Sequence, residues 1–190
     1  MAIRAVVFDI GGVLEIVAES SLLGDWATRL GDVWAGGVIG TVTEEQVHAA
    51  ISERMGVSRD RTDELMNEMW AWYLGVANTE LIEYLRALRP RYRTGLLSNS
   101  FVGAREREQE AYGYAELVDD IVYSHEVGMS KPEPAIYRLT CDRLGVRPDE
   151  TVFVDDVPAN IEAAREVGMI AIEHRDNEDT IAQLRAALHE

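Results

Sequence analysis

Four short segments hold side chains that could act together on one anionic group. They are Val7-Phe8-Asp9-Ile10-Gly11-Gly12-Val13, Leu96-Leu97-Ser98-Asn99, Lys131-Pro132-Glu133-Pro134 and Val152-Phe153-Val154-Asp155-Asp156. They supply a carboxylate, a hydroxyl, an ammonium and a carboxylate pair, a set able to hold a divalent cation beside a phosphoryl group. Asp155-Asp156 is the strongest local signal. Two like charges at a buried strand end repel, and a cation would compensate them. The alternative is that the second Asp caps a helix starting near Pro158. Asp9 is followed by Gly11-Gly12, whose backbone amides suit an anion. Ser98-Asn99 alone is an ordinary turn pair. Lys131 alone would be a solvated lysine, but the prolines of its segment stiffen the backbone and hold the ammonium in place. Gly11 is conspicuous for what it is not: two residues after Asp9, a second carboxylate would complete an acid/base pair.

These side chains need strands to present them. Residues 3–9 read as a buried strand ending at Asp9. Further strands are expected at 93–98, 120–124, 151–155 and 169–173, alternating with helices at about 103–112, 134–144, 158–167 and 178–188. Pro158 suits a helix start, and Gly145 and Gly168 suit helix ends. Such alternation implies a Rossmann-like parallel α/β sheet with helices on both faces, whose chemistry sits at the carboxyl ends of the strands. Residues 17–88 are helical in pattern instead. Thr43-Glu44-Glu45-Gln46 is a capping box that opens a helix with Val47, Ala50, Ile51 and Met55 on one face, stopped by Gly56. Leu65, Met66, Met69 and Trp70 suit a second helix, and Leu81, Tyr84, Leu85 and Leu88 a third. The expected division is a core of 1–16 and 89–190 with a small all-helical insertion, 17–88, after the first strand.

Length and charge narrow the function. A chain of 190 residues can bury a full core. The net charge of −16 argues against a nucleic-acid partner and against an anionic membrane surface. A phosphate substrate meets an unfavourable long-range field, so its capture must rest on a local cation and Lys131. A single cysteine, Cys141, excludes an internal disulfide, and no apolar stretch approaches membrane-span length, so a cytoplasmic protein is expected. The histidines show no metal-ligand spacing; His125, on the loop toward Lys131, is read as structural. Cys141 shares a helix face with Tyr137 and Leu144 and is read as a core thiol. All four tryptophans, Trp26, Trp34, Trp70 and Trp72, fall in the insertion, most of them as its core.

The order and spacing of the four segments resemble the haloacid dehalogenase-like hydrolase superfamily, from residue 7 to about 168, with the helical insertion similar to that family's small cap. The resemblance implies a Mg²⁺-dependent phosphatase acting on a small phosphorylated metabolite, as a monomer or homodimer. It implies Asp9 as the nucleophile that forms an aspartyl-phosphate. Mg²⁺ would be held by Asp9, the main-chain carbonyl of Gly11, Asp156, and Asp155 directly or through water. Ser98 would hydrogen-bond a phosphoryl oxygen, Lys131 would neutralise the phosphoryl group and orient Asp9, Asn99 and Gly12 would lie at the phosphate, and Asn160 would support the metal loop.

Gly11 departs from this pattern, since phosphatases of the superfamily usually carry an acid/base Asp there. General acid–base catalysis typically contributes about 10²–10⁴-fold. Gly11 alone therefore implies steep dependence on leaving-group basicity and a slowly hydrolysed intermediate. Glu15 is read as a solvated loop residue, with substitution for the missing acid as the alternative. The competing functions are a phosphate-binding or regulatory protein that has lost turnover, favoured by Gly11, and a 2-haloacid dehalogenase, for which the acidic pair has no use. A phospho-receiver domain uses similar groups, but its acidic pair comes early in the chain.

Overall fold

The first strand, β1 (Ala5–Phe8), is wholly apolar and wholly buried, as a central parallel strand must be. In the computed structural model, which describes residues 2–18 and 22–189, it lies in the middle of a five-stranded sheet. Its companions are β4 (Arg93–Ser98), β5 (Asp120–Tyr123), β6 (Thr151–Asp155) and β7 (Ile170–Glu173), in the order β5-β4-β1-β6-β7, all parallel. The chain passes from β1 to β4 on one side and later places β6 on the other. The order reverses at β1, and a crevice opens beyond the strand ends there. Phe8 lies across from Leu96 on one side and Val154 on the other, so Asp9, one residue on, is level with Asp155. The expected Rossmann-like parallel sheet is present, and its strands begin and end within two residues of the sequence-based expectation.

Period-two alternation splits the sheet's side chains between two apolar layers. Val6, Phe8 and Leu96 pack against α5 (Thr79–Leu88), α7 (Tyr114–Leu117) and α11 (Asn177–Leu188). Ala5, Val7, Leu97 and Phe153 pack against α9 (Pro134–Leu144) and α10 (Pro158–Val167), and Cys141 is a buried member of this layer. Helix ends follow the expected chemistry. Pro134 and Pro158 open α9 and α10, and Gly145 and Gly168 close them in the left-handed region.

After β1 the chain turns through β2 (Glu15–Ile16), which pairs antiparallel with β3 (Val76–Ala77). Between them lie α1 (Leu22–Leu30), α2 (Asp32–Val38), α3 (Glu44–Met55) and α4 (Arg59–Leu74). The expected insertion start at residue 17 runs into 19–21, which lie outside the described residues. The capping box at Thr43 is formed in both directions, with Gln46 N donating to Thr43 Oγ1 (3.2 Å) and Thr43 N to Gln46 Oε1 (2.8 Å). These helices share a core of Trp26, Leu30, Val47, Ile51, Met66 and Trp70, closed on the sheet side by Phe101. A Cβ at Gly37 would come within 2.3 Å of the Phe101 ring, so only glycine lets α2 sit this close. Val102 N donates to Gly37 O (3.0 Å) at the same contact. Helix α5 differs from expectation. The sequence places it with the insertion, but Leu81, Leu85 and Leu88 join the sheet's own layer. The remaining helices, α6 (Ala104–Tyr112) and α8 (Ser124–Val127), follow β4 and β5.

Candidate active site

The carboxyl ends of β1, β4 and β6 open into a cavity of about 440 Å³. Its floor carries Asp9, Gly11, Gly12, Ser98, Asn99 and Lys131, with Asp156 and Asn160 beside them. Asp155 is fully buried under this floor. The structure therefore gathers all nine expected residues at one place.

Lys131 is the hub. Its ammonium is 2.7 Å from Asp9 Oδ1 and 2.7 Å from Asp155 Oδ2, and the residue is 4% exposed. Burial alone would lower the lysine's pKa, but the two carboxylates outweigh it and hold it charged. Its backbone is clamped to Asn99, whose Nδ2 donates to Lys131 O (2.8 Å) while Lys131 N donates to Asn99 Oδ1 (2.7 Å). Asn99 thus positions the lysine as well as lining the cavity. Asp9 Oδ1 also accepts from Ile10 N at 2.7 Å; Oδ2 takes neither of these bonds.

Asp155 is saturated by protein donors. Oδ1 accepts from Val157 N (2.8 Å) and Asn160 Nδ2 (3.0 Å), and Oδ2 from Lys131 Nζ and Asn160 Nδ2 (3.1 Å). Asp156 is exposed to the cavity and caps nothing: the N-cap position of α10 is Val157, without a side-chain cap. Gly12, at φ 78°, leaves room for it, since a Cβ there would come within 2.3 Å of Asp156 Oδ2.

Asp9, Asp155 and Asp156 each place a carboxylate oxygen within 4.8 Å of the others. Against three carboxylates stands one ammonium. Burial pushes Asp9 up to about 8, with Asp155 adding to the shift and Lys131 opposing it. Burial, then Asp155, also raises Asp156. The surplus negative charge and the all-oxygen donor set fit a divalent cation such as Mg²⁺.

The rest of the lining comes from the turn after β1 and from the insertion: Glu15, Val17, Ala18, Trp72 and Tyr73. Trp72 Nε1 donates to Ala18 O (2.7 Å), which fixes the indole in the cavity lining. Glu15 is not the solvated loop residue expected from sequence. It is 1% exposed, and Tyr114 donates its hydroxyl to Glu15 Oε1 (3.2 Å). Burial pushes its carboxyl up to about 9, with Glu108 adding to the shift. Glu108 is itself fully buried on α6, where Tyr123 donates to its Oε2. Nothing local announces this group: Ala-Arg-Glu-Arg-Glu-Gln-Glu reads as a solvated helix face. His125 does not line the cavity; its Nδ1 lies 2.6 Å from Ser100 Oγ.

Sheet and site together define an α/β enzyme whose chemistry runs from carboxylates at strand ends. The chain belongs to the haloacid dehalogenase-like hydrolases, whose family model matches residues 3–168. It is similar to D-ribitol-5-phosphate phosphatase of Bacteroides thetaiotaomicron, 26% identical over 204 aligned residues covering 98% of this chain and 99% of that protein. Bifunctional epoxide hydrolase 2 of Rattus norvegicus is 33% identical over 112 residues, which are 56% of this chain and 20% of the rat protein. Among solved structures, a haloacid dehalogenase family enzyme of Bacteroides thetaiotaomicron in complex with magnesium and inorganic phosphate superposes with TM-score 0.80. It is 24% identical, covering 97% of this chain and 100% of that one, and this likeness speaks to the fold. No helix among the described residues is long and apolar enough to cross a membrane.

Proposed function

We propose that this hydrolase is a Mg²⁺-dependent phosphatase of small phosphorylated metabolites, working through an aspartyl-phosphate on Asp9. The observation that carries the reading is the Lys131 ammonium shared between Asp9 and Asp155, with Asp156 and Ser98 facing the same cavity. Lys131 and Ile10 N engage Asp9 Oδ1, which leaves Oδ2 as the attacking atom. Oδ2 forms the bond to phosphorus as the ester oxygen departs, and water then displaces Asp9 and releases phosphate. Ser98 and the amide of Gly12 hold phosphoryl oxygens. Asp155, bound to Lys131 and Asn160, positions the lysine and the metal loop. Asp9 and Asp156, backed by Asp155, would hold the cation, which when bound supplies charge stabilisation for the phosphoryl oxygens. The acidic pair has no role in dehalogenation, so we rank that reading lower.

The likeness to D-ribitol-5-phosphate phosphatase supports phosphorylated sugars and polyols as the first substrates to try. Phosphate release from such a panel, and from nitrophenyl phosphate, should require Mg²⁺. Asp9→Asn should bring it to background with the melting temperature preserved. A folded, Mg²⁺-binding protein that releases phosphate from no member would overturn the assignment in favour of a phosphate-binding role.

A further inference from the structure

Gly11 leaves the site without an acid two residues after the nucleophile, yet the cavity lining carries another carboxyl. We propose that Glu15 is the acid/base residue of this site, an inference that rests on the phosphatase reading. When Asp9 Oδ2 bonds to phosphorus and the phosphorus–ester oxygen bond breaks, the Glu15 carboxyl gives its proton to the departing oxygen. The alcohol leaves and Glu15 becomes a carboxylate. Glu15 then takes a proton from water as the water oxygen attacks phosphorus. The bond to Asp9 breaks, inorganic phosphate leaves, and the Glu15 carboxyl is restored.

Three features of the structure carry this. Glu15 and Asp9 line one cavity, and the Glu15 backbone is hydrogen-bonded to the loop that follows Asp9, so a group held at the nucleophile lies within the same enclosure as this carboxyl. The side chain is fixed at both ends. Its backbone pairs with Ala77, and Gly12 N donates to Glu15 O (2.9 Å). Its Oε1 accepts from Tyr114 (3.2 Å), and Oε2 has no hydrogen-bond partner among the described residues. Finally, the side chain is withdrawn from bulk water: Glu15 is 1% exposed, beside Tyr114 and with Glu108 buried close by on α6.

Two measurements on the full chain with Mg²⁺ test the role. The first is the dependence of kcat/KM on leaving-group basicity, across aryl and alkyl phosphates, in the unaltered protein. Glu15 as acid predicts a shallow dependence and no burst of nitrophenol on rapid mixing, the reverse of what Gly11 alone implies. A steep dependence overturns the proposal, whether or not any variant folds. The second uses Glu15→Gln, which keeps an acceptor for Tyr114 but carries no acidic proton. Its kcat/KM on alkyl phosphates should fall by about 10²–10⁴-fold. On nitrophenyl phosphate kcat/KM should hold within a few-fold while kcat falls and a burst appears. An equal loss on both ester types, or no loss on either, would mark Glu15 as structural and overturn the proposal. A protein that hydrolyses no ester at all defeats the phosphatase reading itself. Brisk hydrolysis with the wrong leaving-group dependence defeats only the role of Glu15.

Discussion

At the scale of single residues, the site is built from charges held out of water. Lys131 is the compensating cation for two carboxylates, so its loss strands both. Breaking a buried pair by removing one partner typically costs about 3–5 kcal/mol. Lys131→Met should lower urea stability by that order in EDTA and by less in Mg²⁺, because a bound cation takes over part of the compensation. An equal loss in both media would mean that no cation reaches these carboxylates. Glu108 makes a different prediction. Burial raises its carboxyl from the usual 4.5 to about 7, despite the opposing hydrogen bond from Tyr123. The folded protein keeps this proton where the unfolded chain has lost it. The resulting stabilisation is complete below about 4.5 and is lost as pH rises toward 7. Glu108→Gln should flatten the fall in unfolding free energy across that window, as read from urea titrations at a series of pH values. An unchanged profile would place the titrating group elsewhere.

At the scale of elements, the question is how the insertion is held over the strand ends. Several crossings tie it to the sheet domain, among them hydrogen bonds from Ser124 Oγ to Val38 O (2.8 Å) and from the Tyr112 hydroxyl to Leu74 O (2.8 Å), and two packed contacts stand out. One is the close contact of α2 with Phe101 through Gly37. The other joins α3 and α4 to α6: Arg107 Nη2 lies 2.7 Å from Glu44 Oε1, the Trp70 indole donates to the same oxygen at 3.0 Å, and the guanidinium stacks 4.1 Å over the Trp70 ring. The pair is about a third exposed, so its net worth sits at the low end for charged hydrogen bonds. Arg107→Ala should cost about 1.5 kcal/mol in denaturant unfolding. Because Trp72 and Tyr73 follow Trp70 on α4, the same change should raise KM more than it lowers kcat. A variant with wild-type stability and KM would show that the other contacts seat the insertion without Arg107. The helices were legible here because their signals are local: the Thr43 box, Pro158, Gly56 and Gly168 act on backbone groups within four residues. The membership of α5 was not, since an amphipathic helix does not state which apolar surface will cover it.

At the scale of the whole molecule, a net charge of −16 surrounds a site that must admit a phosphate dianion. Long-range repulsion slows such an encounter, and salt screens it over about 10 Å at 0.1 M. At saturating Mg²⁺, kcat/KM for a good substrate should therefore rise with added inert salt while kcat stays level. A fall would mean that the local field of Lys131 and the cation dominates the approach.

By itself the sequence determined the sheet, the positions of its strand ends and the identity of the floor residues. Short apolar runs stopping at Asp9, Ser98 and Asp155 are local patterns, and a parallel sheet with one order reversal brings such ends together. Tertiary structure alone decided the rest of the lining. Glu15 meets Tyr114 across 99 residues, and Glu108 is buried from a helix whose sequence reads as solvent-facing. Whether a carboxyl is charged in water or neutral in a cavity depends on what is packed around it. That packing is assembled by contacts distant in the chain, which no short stretch of residues encodes.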